Sequence, residues 1–187
     1  LGSTPTAHPG TFAAGRGAPR ISQDGEEMAV ASAVRSRVLV AVVEFDGVWL
    51  SRDDGTSWSR VQRPDPNGWL STAVIQPGGR RVIVTGDHDE VGTVTRSGVR
   101  WRAIRSTRTP RPSEDLLAFD PAAPDVVVGL FRATAYGNRT RVMRSTDGGR
   151  TWRRQGWIRG RHARVGAAFG RLYIGDAWSS DHGRTFR

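Results

Sequence analysis

An all-β fold of about four similar four-stranded antiparallel units is predicted by three observations. The first is a stretch spelled Ser-x-Asp-x-Gly-x-Thr/Ser-Trp/Phe, found at Ser51 to Trp58, Ser145 to Trp152 and Ser179 to Phe186. A worn copy ends at Trp101, where Gly98 and the Trp remain but Val94, Arg96 and Arg100 replace the Ser, Asp and Thr. The copies recur about 35 to 50 residues apart, a period that marks a repeat architecture. The second observation is a series of short β-branched and apolar runs, broken by turn signals every eight to twelve residues or so. The third is that no segment of useful length carries helical periodicity.

The chemistry of the motif explains its spelling. The carboxylate of Asp53, Asp147 or Asp181 accepts backbone N–H groups just ahead of it and closes an Asx-type turn. The Gly two places on (Gly55, Gly149, Gly183) takes positive φ without a Cβ clash. Hydroxyls of Ser51, Ser145 and Ser179, and of the later Thr or Ser, tie down the remaining backbone groups. Trp58, Trp152 or Phe186 then lies on the returning strand and buries a flat apolar surface against a neighbouring unit. Each copy is a self-satisfied corner with an anchor, which makes these aspartates structural.

Taken in order, residues 1–27 are rich in Gly, Pro, Ala and Thr and read as a linker, or as the remnant of a preceding unit in which Ser22-Gln23-Asp24-Gly25 is a worn turn. Residues 28–187 hold the repeats. In the first, spanning 28–63, Met28 to Val34 and Val38 to Val43 are apolar runs, Gly47 to Leu50 enters the corner and Trp58 to Gln62 leaves it. In the second, 67–105, the same places fall to Trp69 to Ile75, Arg81 to Thr85, Gly92 to Thr95 and Arg100 to Ile104. The third, 114–156, uses Leu116 to Phe119, Val126 to Phe131, Thr140 to Arg144 and Trp152 to Gln155. The last, 162–187, gives Arg164 to Phe169, Arg171 to Ile174 and Asp176 to Ser179 before its corner.

Four consecutive antiparallel strands form a meander, and repeating it around an axis covers each sheet with its neighbours. That is a β-propeller, whole or partial, with the Asp corners between third and fourth strands. On three full motifs and one worn copy, the sequence resembles the Asp-box (bacterial neuraminidase repeat) family. Sialidases, xyloglucan-active hydrolases, sortilin-type receptors and photosystem assembly factors share that repeat. The resemblance implies ligands bound at the mouth away from the Asp boxes, and an extracellular or periplasmic setting. It leaves function open, because the relatives do different things on one scaffold. The fourth unit ends where its outermost strand would begin, so either more blades belong to the ring or the stretch from Phe12 to Ile21 pairs beside Asp176 to Ser179 and closes it.

Strand alternation places the third-to-fourth turns on the side of the first-to-second ones, so the opposite face is the candidate binding face. It carries Glu44 and Asp46, the run Asp87-His88-Asp89-Glu90, Tyr136 within Arg132 to Arg139, and Asp176 with Trp178. Asp87 and Glu90 are the weak candidates for an acid and a base, or for hard-cation ligands, but adjacent residues on a hairpin tip diverge and a solvated loop is the favoured reading. No catalytic set, metal or cofactor is assigned. Tyr136 and Trp178 have the side chains to stack on a sugar, and Trp178 also suits a core between units. The sialidase constellation of three arginines, a Tyr–Glu pair and an Asp is not reproduced around Tyr136 or Tyr173.

The net charge of +10 comes from 28 Arg and no Lys, scattered along the chain and interleaved with Asp and Glu. This spread reads as compositional bias on a solvated surface, with nucleic acid disfavoured as a partner; the denser runs Arg100 to Arg111 and Arg150 to Arg164 are what a polyanion would use. With no Cys, stability rests on packing and strand pairing. No apolar run approaches the roughly 18 residues of a membrane helix, so membrane insertion is not expected. Two functions follow: a non-catalytic propeller that holds a protein or glycan, and a glycoside hydrolase or part of one. Oligomeric state is not encoded legibly.

Overall fold

The computed structural model describes residues 16, 28–33, 35–43, 46–63, 69–86, 89–104, 116–132, 139–159 and 164–187. Among them lie fifteen strands and no helix. The first sheet is β1 (Met28–Ser32), β2 (Leu39–Val43), β3 (Gly47–Ser51) and β4 (Ser59–Val61). The second is β5 (Leu70–Ile75), β6 (Arg81–Gly86), β7 (Glu90–Thr95) and β8 (Gly98–Ala103). The third is β9 (Leu117–Phe119), β10 (Val127–Arg132), β11 (Arg139–Ser145) and β12 (Arg153–Arg159), and the fourth is β13 (Val165–Ala168), β14 (Arg171–Ile174) and β15 (Ala177–Ser179). Every sheet is a sequential antiparallel meander. The all-β prediction holds, with edges moved by a few residues; the third strand of the second sheet opens at Glu90, ahead of the expected Gly92.

Valine and isoleucine dominate the inner strands because both faces of a stacked sheet are covered. Thus Val40 through Val43 on β2 and Val82 through Val84 on β6 are all at or below 1% exposure. The covering comes from three apolar layers. Val40, Val42, Val48 and Leu50 meet Leu70, Ala73, Ile75 and Val84 between the first two sheets. Ile83 and Val91 meet Phe119, Val127 and Phe131 between the second and third. Val128, Leu130 and Val142 meet Leu172 and Ile174 between the third and fourth. The innermost strands β1, β5, β9 and β13 lie side by side in that order. No apolar layer among the described residues joins the fourth sheet to the first.

The corner aromatics occupy matching places in this stack. Trp101, Trp152 and Phe186 each pack into the layer between their own sheet and the preceding one. Trp58, in the first sheet, instead gives its backbone N–H to the Arg16 carbonyl (3.0 Å).

Each junction also carries one arginine that no local sequence pattern singles out. Arg52 Nη2 donates to the carbonyls of Thr95 (2.6 Å) and Gly98 (3.3 Å), at the worn corner of the second sheet. Arg81 Nη1 donates to the Asp147 carbonyl (2.9 Å) at the corner of the third. Arg144 Nε donates to the His182 carbonyl (2.6 Å) at the corner of the fourth. A turn leaves carbonyls that no ladder partner reaches, and a guanidinium from the preceding sheet satisfies them while tying two sheets together.

The fourth sheet has three strands, and Arg187 exchanges backbone hydrogen bonds with Trp178 (2.9 and 3.1 Å) along the outer edge of β15. Arg16 does not reach that edge: it bridges to Ser57 in the first sheet. Closure of a ring by this residue is therefore corrected, and the rest of the stretch from Phe12 to Ile21 lies outside the described residues.

Candidate functional site

The corners themselves are closed units. In the first, Ser51 Oγ donates to Asp53 Oδ1 (2.8 Å), Gly55 N–H donates to Ser51 Oγ (2.8 Å), and Ser57 donates through N–H (2.9 Å) and hydroxyl (2.6 Å) to the two carboxylate oxygens of Asp53. Ser145, Asp147, Gly149 and Thr151 repeat this pattern, as do Ser179, Asp181, Gly183 and Thr185. Trp58 and Trp152 add an indole N–H to the carbonyl of the corner glycine, at 3.0 and 2.9 Å. The worn corner differs, for Trp101 Nε1 is buried without a partner.

Carboxylates that accept so many hydrogen bonds are hard to protonate. The Ser57 hydroxyl, then the Ser57 N–H and the Ser51 hydroxyl, hold the Asp53 carboxyl down to about 2. Thr185 and Ser179 lower Asp181 in the same way. At Asp147 burial pushes upward, and the hydrogen bonds of Thr151, Ser145 and Arg150 outweigh it. Because the folded value of Asp53 lies below the unfolded value of about 4, its contribution is complete above pH 4 or so and is lost as pH falls toward about 2. The urea midpoint of the wild type is expected to drop over that window, and Asp53→Asn to flatten the drop while lowering the midpoint at neutral pH. An unchanged acid slope in the variant would remove the corner from the explanation.

On the opposite face, Asp46 sits at the tip between β2 and β3. Its carboxylate accepts Trp49 Nε1 (2.9 Å) and lies 3.5 Å from Arg60 Nη2, which also donates to its carbonyl. Gly47, at φ 119°, lets the chain turn there. Asp46, Gly47, Arg60, Val61, Gln62 and Arg63 line a recess of about 280 Å³. Behind it, Arg63 Nε meets Glu90 Oε2 at 2.9 Å, with both side chains at or below 3% exposure. Glu90 opens β7, so this pair links the crossover leaving the first sheet to the second sheet.

Of the residues expected on this face, the structure gathers Asp46 and Glu90 around one arginine-lined recess. Glu90 is not on a solvated tip; strand alternation turns it inward onto a cation 27 residues earlier. The Asp89 carbonyl accepts the N–H of Ile104 (3.0 Å), and Asp176 is exposed on the turn before β15. Trp178 is neither in the core nor at the mouth: it stands on the face of the fourth sheet turned away from the third, between Arg171 (4.2 Å) and Arg187 (4.4 Å). Glu44, Asp87, His88 and Tyr136 lie outside the described residues. Among the described residues no group of three or more His, Asp or Glu side chains is placed to hold a metal ion.

No protein-family model matches the sequence, and no curated protein matches it either. Solved structures do. A GH74 enzyme from Niastella koreensis matches with a TM-score of 0.54 and 17% identity, over 81% of this chain and 29% of its own. An ancestral GH74 enzyme gives 0.61 and 17%, over 92% of this chain and 24% of its own. Apo AztD from Citrobacter koseri gives 0.52 and 13%, over 87% and 46% respectively. The chain thus spans less than half the length of each of these neighbours, and at such identities the likeness is one of fold. Meanders stacked through apolar layers, with corner aromatics in matching places, and these likenesses together identify the chain as an all-β protein of β-propeller fold, whole or in part.

Proposed function

We propose that the chain is a propeller of the Asp-box type that holds a protein or glycan at its loop face without cleaving it. The observation behind this is the lining of the recess. Among the described residues it offers one carboxylate, Asp46, already engaged by Trp49 and Arg60, beside two guanidiniums. Glycoside hydrolysis needs two carboxyl groups facing each other across a cleft, about 5 to 10 Å apart, one of them free to exchange a proton. Glu90 does not supply the second, because its charge is committed to Arg63 in a buried pair. The hydrolase reading draws on the GH74 neighbours, which support it at the level of fold.

Incubating the whole chain with xyloglucan and with sialyllactose tests this. The expected result is no release of reducing ends or sialic acid over a day. Retention on an array of proteins and glycans is expected to weaken by about tenfold on Arg60→Gln, the scale of losing one charged hydrogen bond. Turnover abolished by Asp46→Asn in a folded variant would establish the hydrolase instead.

A further inference from the structure

Independently of the loop face, we infer that the outer end of the junction between the second and third sheets binds single-stranded nucleic acid without regard to sequence, through arginines of β8 and β12 and the exposed indole of Trp157. Arginines that look scattered along the chain gather here. The two densest runs, Arg100 to Arg111 and Arg150 to Arg164, supply Arg100 and Arg102 of β8 and Arg154 of β12, the outermost strands of these adjoining sheets. Neither strand carries a carboxylate.

Strand alternation shows which of these side chains turn toward one another. Val99 and Trp101 of β8 pack toward the first sheet, so Arg100 and Arg102 point toward the third. Phe131 and Met143 pack toward the second sheet. Arg141 is the cross-strand partner of Phe131 and of Trp157, and Arg154 that of Met143, so Arg141, Trp157 and Arg154 face the second sheet as well. The corner of the third sheet closes the lower end, with Gly148 and Gly149 against Arg81 and Ile83 of the second, and exposed Arg150 follows them. Both sheets have their full four strands, so the exposure of this rim is a property of the junction itself.

The rim is a cationic strip. Arg100, Arg102, Arg150 and Arg154 are exposed and make no ion pair with a described residue. Carboxylates stand at the ends of the junction: Asp147 has both oxygens taken by its own corner, Asp125 lies 3.8 Å from Arg81, and Asp89 is at the loop end. Arg100 and Arg102, two residues apart on one strand, are separated by roughly 7 Å. Their forks therefore suit successive anionic groups of an extended chain better than one small ion.

Trp157 is the second observation. It is 43% exposed on its outer strand, and the guanidinium carbons of Arg141 and Arg154 lie 5.2 and 5.8 Å from its ring centroid, near the outer limit of such contacts. The cations hold the ring and leave part of it open. Arg141 Nε is buried without a hydrogen-bond partner, a donor in need of an acceptor. Guanidiniums that follow a backbone, beside an aromatic ring on which a base stacks, are what holds a single strand without reading its sequence. The C–H face of a sugar would need the negative face of the indole, which two guanidiniums already share; a planar base stacks on guanidinium and indole alike. A duplex is stiff and keeps its bases stacked within itself, so it would use the cations alone.

The test measures binding of the whole chain to an oligothymidylate, to inorganic polyphosphate and to heparin across a salt series, with a urea midpoint for every variant to show that it is folded. The oligothymidylate is expected to bind. Arg100→Gln/Arg102→Gln is expected to weaken it about tenfold and to reduce the slope of log affinity against log salt by about 0.7 per arginine. Trp157→Leu is expected to weaken the oligothymidylate about tenfold while leaving polyphosphate unchanged, and Trp157→Phe to keep most of the affinity. Arg164→Gln/Arg184→Gln removes the same charge from the fourth sheet and is expected to cost less than about twofold. An equal loss in that control would overturn the site, as would failure of the oligothymidylate to bind. So would polyphosphate binding that falls with Trp157→Leu as far as oligothymidylate binding does. Heparin bound more tightly than the oligothymidylate, with the same losses in the variants, would assign the rim to an acidic polysaccharide and likewise overturn the proposal.

Discussion

Glu90→Ala is expected to destabilise the protein by about 3 to 5 kcal/mol, the cost of leaving a buried guanidinium without its counter-charge. For a chain of this size that lowers the melting temperature by on the order of 10 °C. Each side chain of the pair is at most 3% exposed, so water replaces the lost carboxylate poorly as a partner for the Arg63 guanidinium. Arg63→Met/Glu90→Leu is expected to recover most of the loss, because a packed apolar pair of similar volume avoids the desolvation cost that the ion pair only offsets. A thermal melt of the three proteins decides: a double variant no better than Glu90→Ala would mean that the pair contributes net stability beyond mutual neutralisation. The same experiment guards the functional reading. Glu90 lies behind the recess, so any binding lost on its removal must be measured where the variant is shown to be folded, or loosening between the first two sheets will be mistaken for a lost ligand contact.

How much of this was legible beforehand divides along local and non-local lines. The corners were legible because their hydrogen bonds span at most four residues, as from Ser145 to Gly149 and from Asp147 to Thr151. The same short reach makes the spelling recur, and the strands follow from β-branched runs between such turns. Roles set by another sheet were not legible. Glu90 follows Asp87-His88-Asp89 and looks like the end of a charged loop; only the start of β7 and the position of Arg63 make it a buried partner. Arg52, Arg81 and Arg144 are lost in a background of 28 arginines, and no local pattern distinguishes a guanidinium that reaches a carbonyl 38 to 66 residues away. By type Trp178 suits a sugar-stacking face or a core between units, and nothing local shows that Arg171 of β14 and Arg187 lie over its ring. His182, read as a variable corner position, meets the buried carboxylate of Asp120 at 2.9 Å across the last junction.

Gly149→Ala is the second large effect and probes whether the corners fasten sheet to sheet. Gly149 has φ of 91°, and a Cβ there would sit 2.5 Å from Cδ1 and 3.2 Å from Cγ1 of Ile83, a residue of the preceding sheet. Left-handed strain of about 1 kcal/mol adds to an overpacking cost of about 1 to 3 kcal/mol, so a total of about 3 kcal/mol is expected. Gly55→Ala is the control: its φ of 87° gives equal strain, but its nearest neighbour is Leu39 Cδ1 at 3.3 Å, within its own sheet. It is expected to cost about 1 kcal/mol. In a stack whose units contact only their neighbours, weakening one interface lowers cooperativity as well as stability. Urea unfolding of Gly149→Ala is therefore expected to broaden, or to separate into two steps, with the third and fourth sheets losing amide protection before the first two. Adding Ile83→Val removes the methyl that the new Cβ strikes, and should return part of the loss despite its own cost of about 1 kcal/mol. Equal destabilisation by Gly149→Ala and Gly55→Ala, with single sharp transitions in both, would show that the corners act within their own sheets and that the stacking depends on the apolar layers alone.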